Sequence, residues 1–180
     1  MEGKFTWRAQ PATRGSAATV ERVDGLAPDF ADIVQHVSMA LASCPDWHLE
    51  IAPTFDYACV AYGAPPNALV TPDPCPACDV DCEIARTTFV DGNEFARAWT
   101  DATGRPMLIV TPVRHITTPS ALSSDELAAI GSLIDRVTAG KRLESIKLNV
   151  GGYRHWPHLH FKLLLDFIPA DSLCIEGSDP

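Results

Sequence analysis

The stretch "RHWPHLHFKLLL" (154–165) decides how this chain is read. From His158 onward polar and apolar residues alternate. His158, His160 and Lys162 would point to one face of an extended chain, and Leu159, Phe161 and Leu163 to the other. At helical spacing the same residues would scatter around the cylinder and leave no apolar stripe. A strand with one apolar face and one basic face is expected, delivered by the turn "GGYR" (151–154).

Working outward, "SIKLNV" (145–150) alternates as a partner strand. "SSDELAAIGSLIDRVTAG" (123–140) is a helix: Ser123 with Glu126 makes a capping box, Leu127, Ile130, Leu133, Ile134 and Val137 make the stripe, and Gly140 ends it. "PMLIVTPV" (106–113) reads as a buried strand followed by the loop "HITTPSAL" (115–122). "IARTTFVDGNEFARAWTD" (84–101) reads as two short strands around an Asp91-Gly92 turn. Further upstream, a helix over 28–42 buries Phe30, Ile33, Val34, Val37 and Leu41, and a strand is expected over 53–62. The segment 63–81 is too proline-rich for regular structure, and residues 1–24, polar and without periodicity, read as a loose arm. Strands, a helix and two antiparallel strands in that order imply an α+β fold, the helix packed on one sheet face.

With 180 residues the chain is long enough for one domain with a substantial core, and 46% hydrophobic against 21% charged residues excludes disorder. The net charge of -9 argues against a nucleic-acid polymer or a membrane surface as partner. It allows a small anion held by a local cluster such as Arg154 and Lys162. No signal-peptide core or run of transmembrane length is visible, so the cytoplasm is the expected compartment. Six cysteines there read as thiols or metal ligands. Cys44, Cys59, Cys82 and Cys174 show no pairing pattern; Cys75 and Cys78 are spaced C-x-x-C.

From Cys75 onward the chain resembles the histidine-triad (HIT) family of nucleotidyl hydrolases and transferases. The resemblance rests on "PHLHFKLL" (157–164) with Asn149 and the glycines 151–152 before it, on "LIVTPVRHITTPSALSSDELAAI" (108–130), and on Cys75-Pro-Ala-Cys78. It covers roughly the last 105 residues, by the register of these motifs. The division is then a HIT-like domain, residues 75–180, and an N-terminal extension, residues 1–74, without a family counterpart; the full apolar stripe of the 28–42 helix must be covered, so the extension is expected to pack on that domain. The resemblance also implies a homodimer acting on a nucleotide or nucleotide conjugate.

By the same resemblance Cys75, Cys78, His115 and His158 would hold a structural Zn²⁺, with Cys82 as an alternative ligand. His160 would attack the α-phosphorus and carry the nucleotidyl group. Asn149 matches a phosphate or leaving-group contact, Asp101 the ribose-hydroxyl acceptor, and the turn amides around Gly152 a phosphate nest. Three positions depart from the family. Lys162 stands where the third histidine is expected, and would add a fixed positive charge beside the phosphate. Arg154 replaces a glutamine and would offer bidentate phosphate contacts. His155 replaces a small hydroxyl residue and would serve as a general acid. Two other readings remain: a zinc-held nucleotide-binding module without turnover, and an unrelated catalytic metal held by His155, His158 and His160.

Overall fold

A computed structural model describes residues 5–12, 15–23, 29–55, 57–63, 75, 77–154 and 156–166. Among the described residues there are nine strands, β1 (Phe5–Gln10), β2 (Ser16–Arg22), β3 (Trp47–Ile51), β4 (Tyr57–Tyr62), β5 (Phe89–Gly92), β6 (Ala96–Thr100), β7 (Met107–Pro112), β8 (Leu143–Val150) and β9 (Phe161–Leu165). They form one antiparallel sheet in the order β1-β2-β4-β3-β8-β9-β7-β6-β5. Among the described residues three α-helices accompany it: α1 (Phe30–Ala40), α2 (Glu83–Thr88) and α3 (Ser124–Thr138). The fold is α+β, as the alternation of short strands with one strong helix pattern implies.

The alternation that opens the sequence decides the two faces. Leu159, Phe161 and Leu163 are fully buried against α1 and α3, in one core with Leu49, Ile51, Ile146, Leu148, Leu108 and Val110 from neighbouring strands. Phe30 of α1 meets Phe161 edge-on at 5.3 Å between ring centroids. Asp29 starts α1 by accepting the Ala31 amide at 2.7 Å, and the capping box of Ser123 and Glu126 starts α3. The opposite sheet face carries the polar set: Lys162 is paired with Lys147, Lys147 with Glu50, and Asn149 with His48.

Four local expectations change. The arm expected over residues 1–24 contains β1 and β2, which pair with each other and with β4. Their hydrophobic marks are sparse (Phe5, Trp7, Ala18, Val20), because an edge hairpin covers only one corner of the core. Residues 47–51, for which no element is expected from sequence, form β3, where Trp47, Leu49 and Ile51 alternate with half-buried His48 and Glu50. It pairs with β8 through Trp47–Val150 and Leu49–Leu148, so the sheet runs without a break from the first strand to the last. Residues 84–88 are helical, not strand: the Cys82 thiol accepts the Ala85 amide and starts α2. The hairpin turn lies one step beyond Asp91-Gly92, where the Asn93 side-chain oxygen accepts the amides of Phe95 and Ala96 at 3.0 and 2.8 Å.

Candidate active site and metal centre

The chain entering β9 supplies both His158 and His160, because alternation puts them on the sheet face away from the helices. His158 is buried, and its Nε2–H donates to the Pro112 carbonyl at 2.9 Å. That bond leaves the Nδ1 lone pair facing two thiols, Cys75 Sγ at 3.6 Å and Cys78 Sγ at 3.4 Å. His115 Nδ1 lies 3.1 Å from Cys78 Sγ. Ligand atoms of Cys75, Cys78, His115 and His158 all fall within 4.8 Å of one another.

The donor set fits zinc. Bonds of about 2.3 Å to sulfur and 2.0–2.1 Å to nitrogen, at the tetrahedral angle, put S and N about 3.5 Å apart. The observed separations bracket that value. Burial, reinforced by the adjacent Cys75, pushes the Cys78 thiol up to about 11, and burial pushes His158 down to about 4. A divalent cation here would draw the thiolates out and hold the neutral imidazole, so it would complete the charge balance of the cluster. Cys82, the alternative ligand, instead caps α2. His158 faces the thiols, and so is not available to a metal shared with His160. His155 lies outside the described residues, as does Cys174.

His160 is also buried, and its Nδ1–H donates to the His158 carbonyl at 2.9 Å. A carbonyl only accepts, so the proton sits on Nδ1 and the lone pair on Nε2. Burial, helped by the charges of Lys162 and Arg154, pushes its pKa down to about 4, and the ring is neutral at pH 7. Beside it Lys162 is half-buried, its pKa lowered by burial and by nearby Arg105. Its ammonium has no hydrogen-bond or ion-pair partner among the described residues.

His158, His160, Lys162 and Asp101 line one cavity of about 310 Å³. Its remaining walls are mostly apolar, with Trp99, Met107 and Ile109 from the sheet, Ile84 and Ala85 from α2, and Trp156. Asp101 accepts from the Arg105 guanidinium at 2.7 and 2.9 Å and from the Thr103 hydroxyl. Arg105 holds its carboxyl below the usual carboxylate range. Arg105 and Thr103 also line the cavity, and neither was singled out from sequence, although the i,i+4 spacing of Asp101 and Arg105 was a readable signal.

Three other candidates are placed differently. The Gly152 amide donates to the Asp46 carboxylate at 2.7 Å and the Arg154 amide to the Gly151 carbonyl at 3.0 Å. Neither amide faces the cavity. Arg154 itself, only 6% exposed, turns its guanidinium inward to the carbonyls of Thr117 and Pro157. Asn149 lies beyond the cavity wall on β8, and its Oδ1 accepts from His48 Nδ1. Asp46 and His48 belong to the N-terminal half, 106 and 101 residues from their partners. No sequence pattern marks such pairs.

No family model matches the sequence, and no curated protein does. Solved structures do. A galT-like protein from Arabidopsis thaliana superimposes with a TM-score of 0.61 at 9% identity, over 91% of this chain and 70% of that one. The likeness shows the HIT-like α+β fold. A uridylyltransferase gives 0.59 at 13% identity, over 90% and 68% of the two chains. An ADP-glucose phosphorylase from Arabidopsis thaliana, with ADP-glucose bound, gives 0.58 at 10% identity, over 87% and 65%. The present chain thus spans about two thirds of the length of each.

Proposed function

We propose that the protein is a nucleotidyl hydrolase or transferase that works on the α-phosphate of a nucleotide conjugate through a His160 nucleotidyl intermediate. One observation carries the reading: a neutral imidazole with its lone pair fixed on Nε2 lines the same cavity as an ammonium that has no hydrogen-bond or ion-pair partner among the described residues. A half-buried lysine whose ammonium makes no ion pair among the described residues favours an anion, and a phosphoryl group would supply it.

Nε2 of His160 attacks the α-phosphorus, and the bond from phosphorus to the leaving group breaks, the leaving group departing with the electron pair. Lys162 faces the negative charge on the phosphoryl oxygens. The His158 carbonyl, accepting from Nδ1–H, stabilises the charge that develops on the imidazole. Water or an acceptor hydroxyl then attacks phosphorus, the N–P bond breaks, and His160 returns to its starting state. Zinc held by Cys75, Cys78, His115 and His158 would be structural. It would fix His158, and so the carbonyl that sets the His160 tautomer.

The apolar walls from Trp99, Met107 and Ile109 suit a nucleobase, and Asp101 with Thr103 and Arg105 suits the ribose edge. Because two solved proteins of this fold are a uridylyltransferase and a phosphorylase with bound ADP-glucose, a nucleoside diphosphate sugar is the first substrate to try. We further propose that the division of the chain falls between residues 74 and 75, with β1–β4 and α1 forming an extension of the domain that follows, and that the chain is a homodimer; light scattering of the purified protein checks the latter.

The test is single-turnover labelling with nucleotides radiolabelled at the α-phosphate. Acid-labile label should appear on the wild type and be absent from His160→Asn, which should still bind nucleotide. Turnover by the Asn variant at the wild-type rate would refute the covalent mechanism. Binding without labelling in the wild type would make the protein a nucleotide-binding module.

A further inference from the structure

Arg154 is a buried cation in an unusual setting. Among the described residues it has no carboxylate partner, and its Nε is buried without a hydrogen bond. Both conditions are costly inside a protein. What the guanidinium does engage is specific. A single amino group, Nη1, donates to the Thr117 carbonyl at 2.7 Å and to the Pro157 carbonyl. Thr117 lies two residues after His115, and Pro157 immediately precedes His158. One side-chain group therefore joins the two segments that carry the imidazoles of the Cys/His cluster.

Two other ties link the same segments: the Leu159 amide to the Ile116 carbonyl at 2.8 Å, and His158 Nε2 to the Pro112 carbonyl at 2.9 Å. Those two fix the strand-like approach of the segments. Arg154 adds a third tie, which among the described residues is the one that links the turn before His158 to Thr117 in the loop after His115. A planar guanidinium with its donors in fixed directions is suited to hold two carbonyls at a set spacing.

We propose that Arg154 is a positioning residue of the metal centre: by clamping Thr117 to Pro157 it sets the spacing of His115 and His158. Through the bond from His160 to the His158 carbonyl it also fixes the imidazole that faces the cavity. This inference rests on the reading of the cluster as a zinc site. It gives Arg154 a task that needs no contact with substrate.

The experiment uses the full chain and zinc alone. Zinc affinity is measured by competition with a chromophoric chelator, and melting is followed with and without metal, for the wild type, Arg154→Met and Arg154→Gln. Removing a residue that supports ligand geometry typically costs about 10–100-fold in metal affinity. Both variants should show that loss, and the rise in Tm on adding zinc should shrink. The rise for the wild type should be the largest of the three. Wild-type zinc affinity in either variant, with melting lowered equally in the metal-free and zinc-loaded forms, would make Arg154 a packing residue and overturn the proposal. Should Arg154→Met fail to fold, Arg154→Gln carries the same comparison. A wild type that binds no zinc refutes the metal reading itself and this inference with it, which is a different outcome from a variant that binds as well as the wild type.

Discussion

Gly151→Ala should be among the most damaging single-methyl additions in the chain. Gly151 opens the turn that leads to His158, His160 and β9, with φ at +62°. A Cβ built there would lie 2.1 Å from the Pro45 carbonyl oxygen and 2.2 Å from Asp46 Oδ1. Left-handed backbone at a residue with a Cβ costs about 1–2 kcal/mol. Relief of the clash must move Asp46 away from the turn, and so lose the 2.7 Å bond that its carboxylate accepts from the Gly152 amide. A hydrogen bond to a charged group contributes about 1.5–3 kcal/mol. Together these come to about 3–5 kcal/mol, which for a chain of this size lowers Tm by about 6–20 °C. Gly140→Ala is the control, because Gly140 has φ at +71° with nothing within 4 Å of its Cβ position. It should show the backbone cost alone, about 2–8 °C. Differential scanning calorimetry of the two variants separates the contributions. If Gly151→Ala melts no lower than Gly140→Ala, the close approach of Pro45 and Asp46 to the turn is not what holds it.

Lys162→Met should weaken nucleotide binding by about 10- to 100-fold, the equivalent of one charge-assisted hydrogen bond, with melting little changed; calorimetric titration measures it. Glu126, bound by Arg114 at 2.9 and 3.0 Å, is held down to about 2, chiefly by that guanidinium. Its folded pKa lies below its unfolded one, so its contribution to stability is present above pH 4.5 and is lost as pH falls toward 2. Glu126→Gln should therefore flatten the dependence of Tm on pH across that window; an acid limb identical to the wild type's would contradict the assignment. A chain beginning at residue 64 would lose β3, the hydrogen-bonded neighbour of β8, and the Asp46 contact to the turn. It should fail to give a cooperative melt, and a sharp transition would show that the 75–180 domain stands without its extension.

The polar and apolar faces of β9 were legible in the sequence because strand geometry forces alternate residues to opposite sides whatever surrounds them. The same holds for α3, where the stripe and the capping box are local properties. The Cys/His cluster was legible only in part. C-x-x-C is a local pattern, whereas the choice of His115 and His158 came from resemblance to a family and acquired a geometry only from the fold. Beyond those local periods, long-range contacts decided the rest. The pairing of β3 with β8 placed His48 and Asp46 against a turn about 100 residues away, and no local signal encodes such a meeting. It also joined the first strands to the last in one sheet, where the sequence suggested a loose arm. Arg154 shows the limit most clearly. Its sequence neighbours made a guanidinium beside the 151–154 turn look like a phosphate ligand. Packing turned it inward, because the carbonyls of Thr117 and Pro157 lay within its reach and were there to accept its protons.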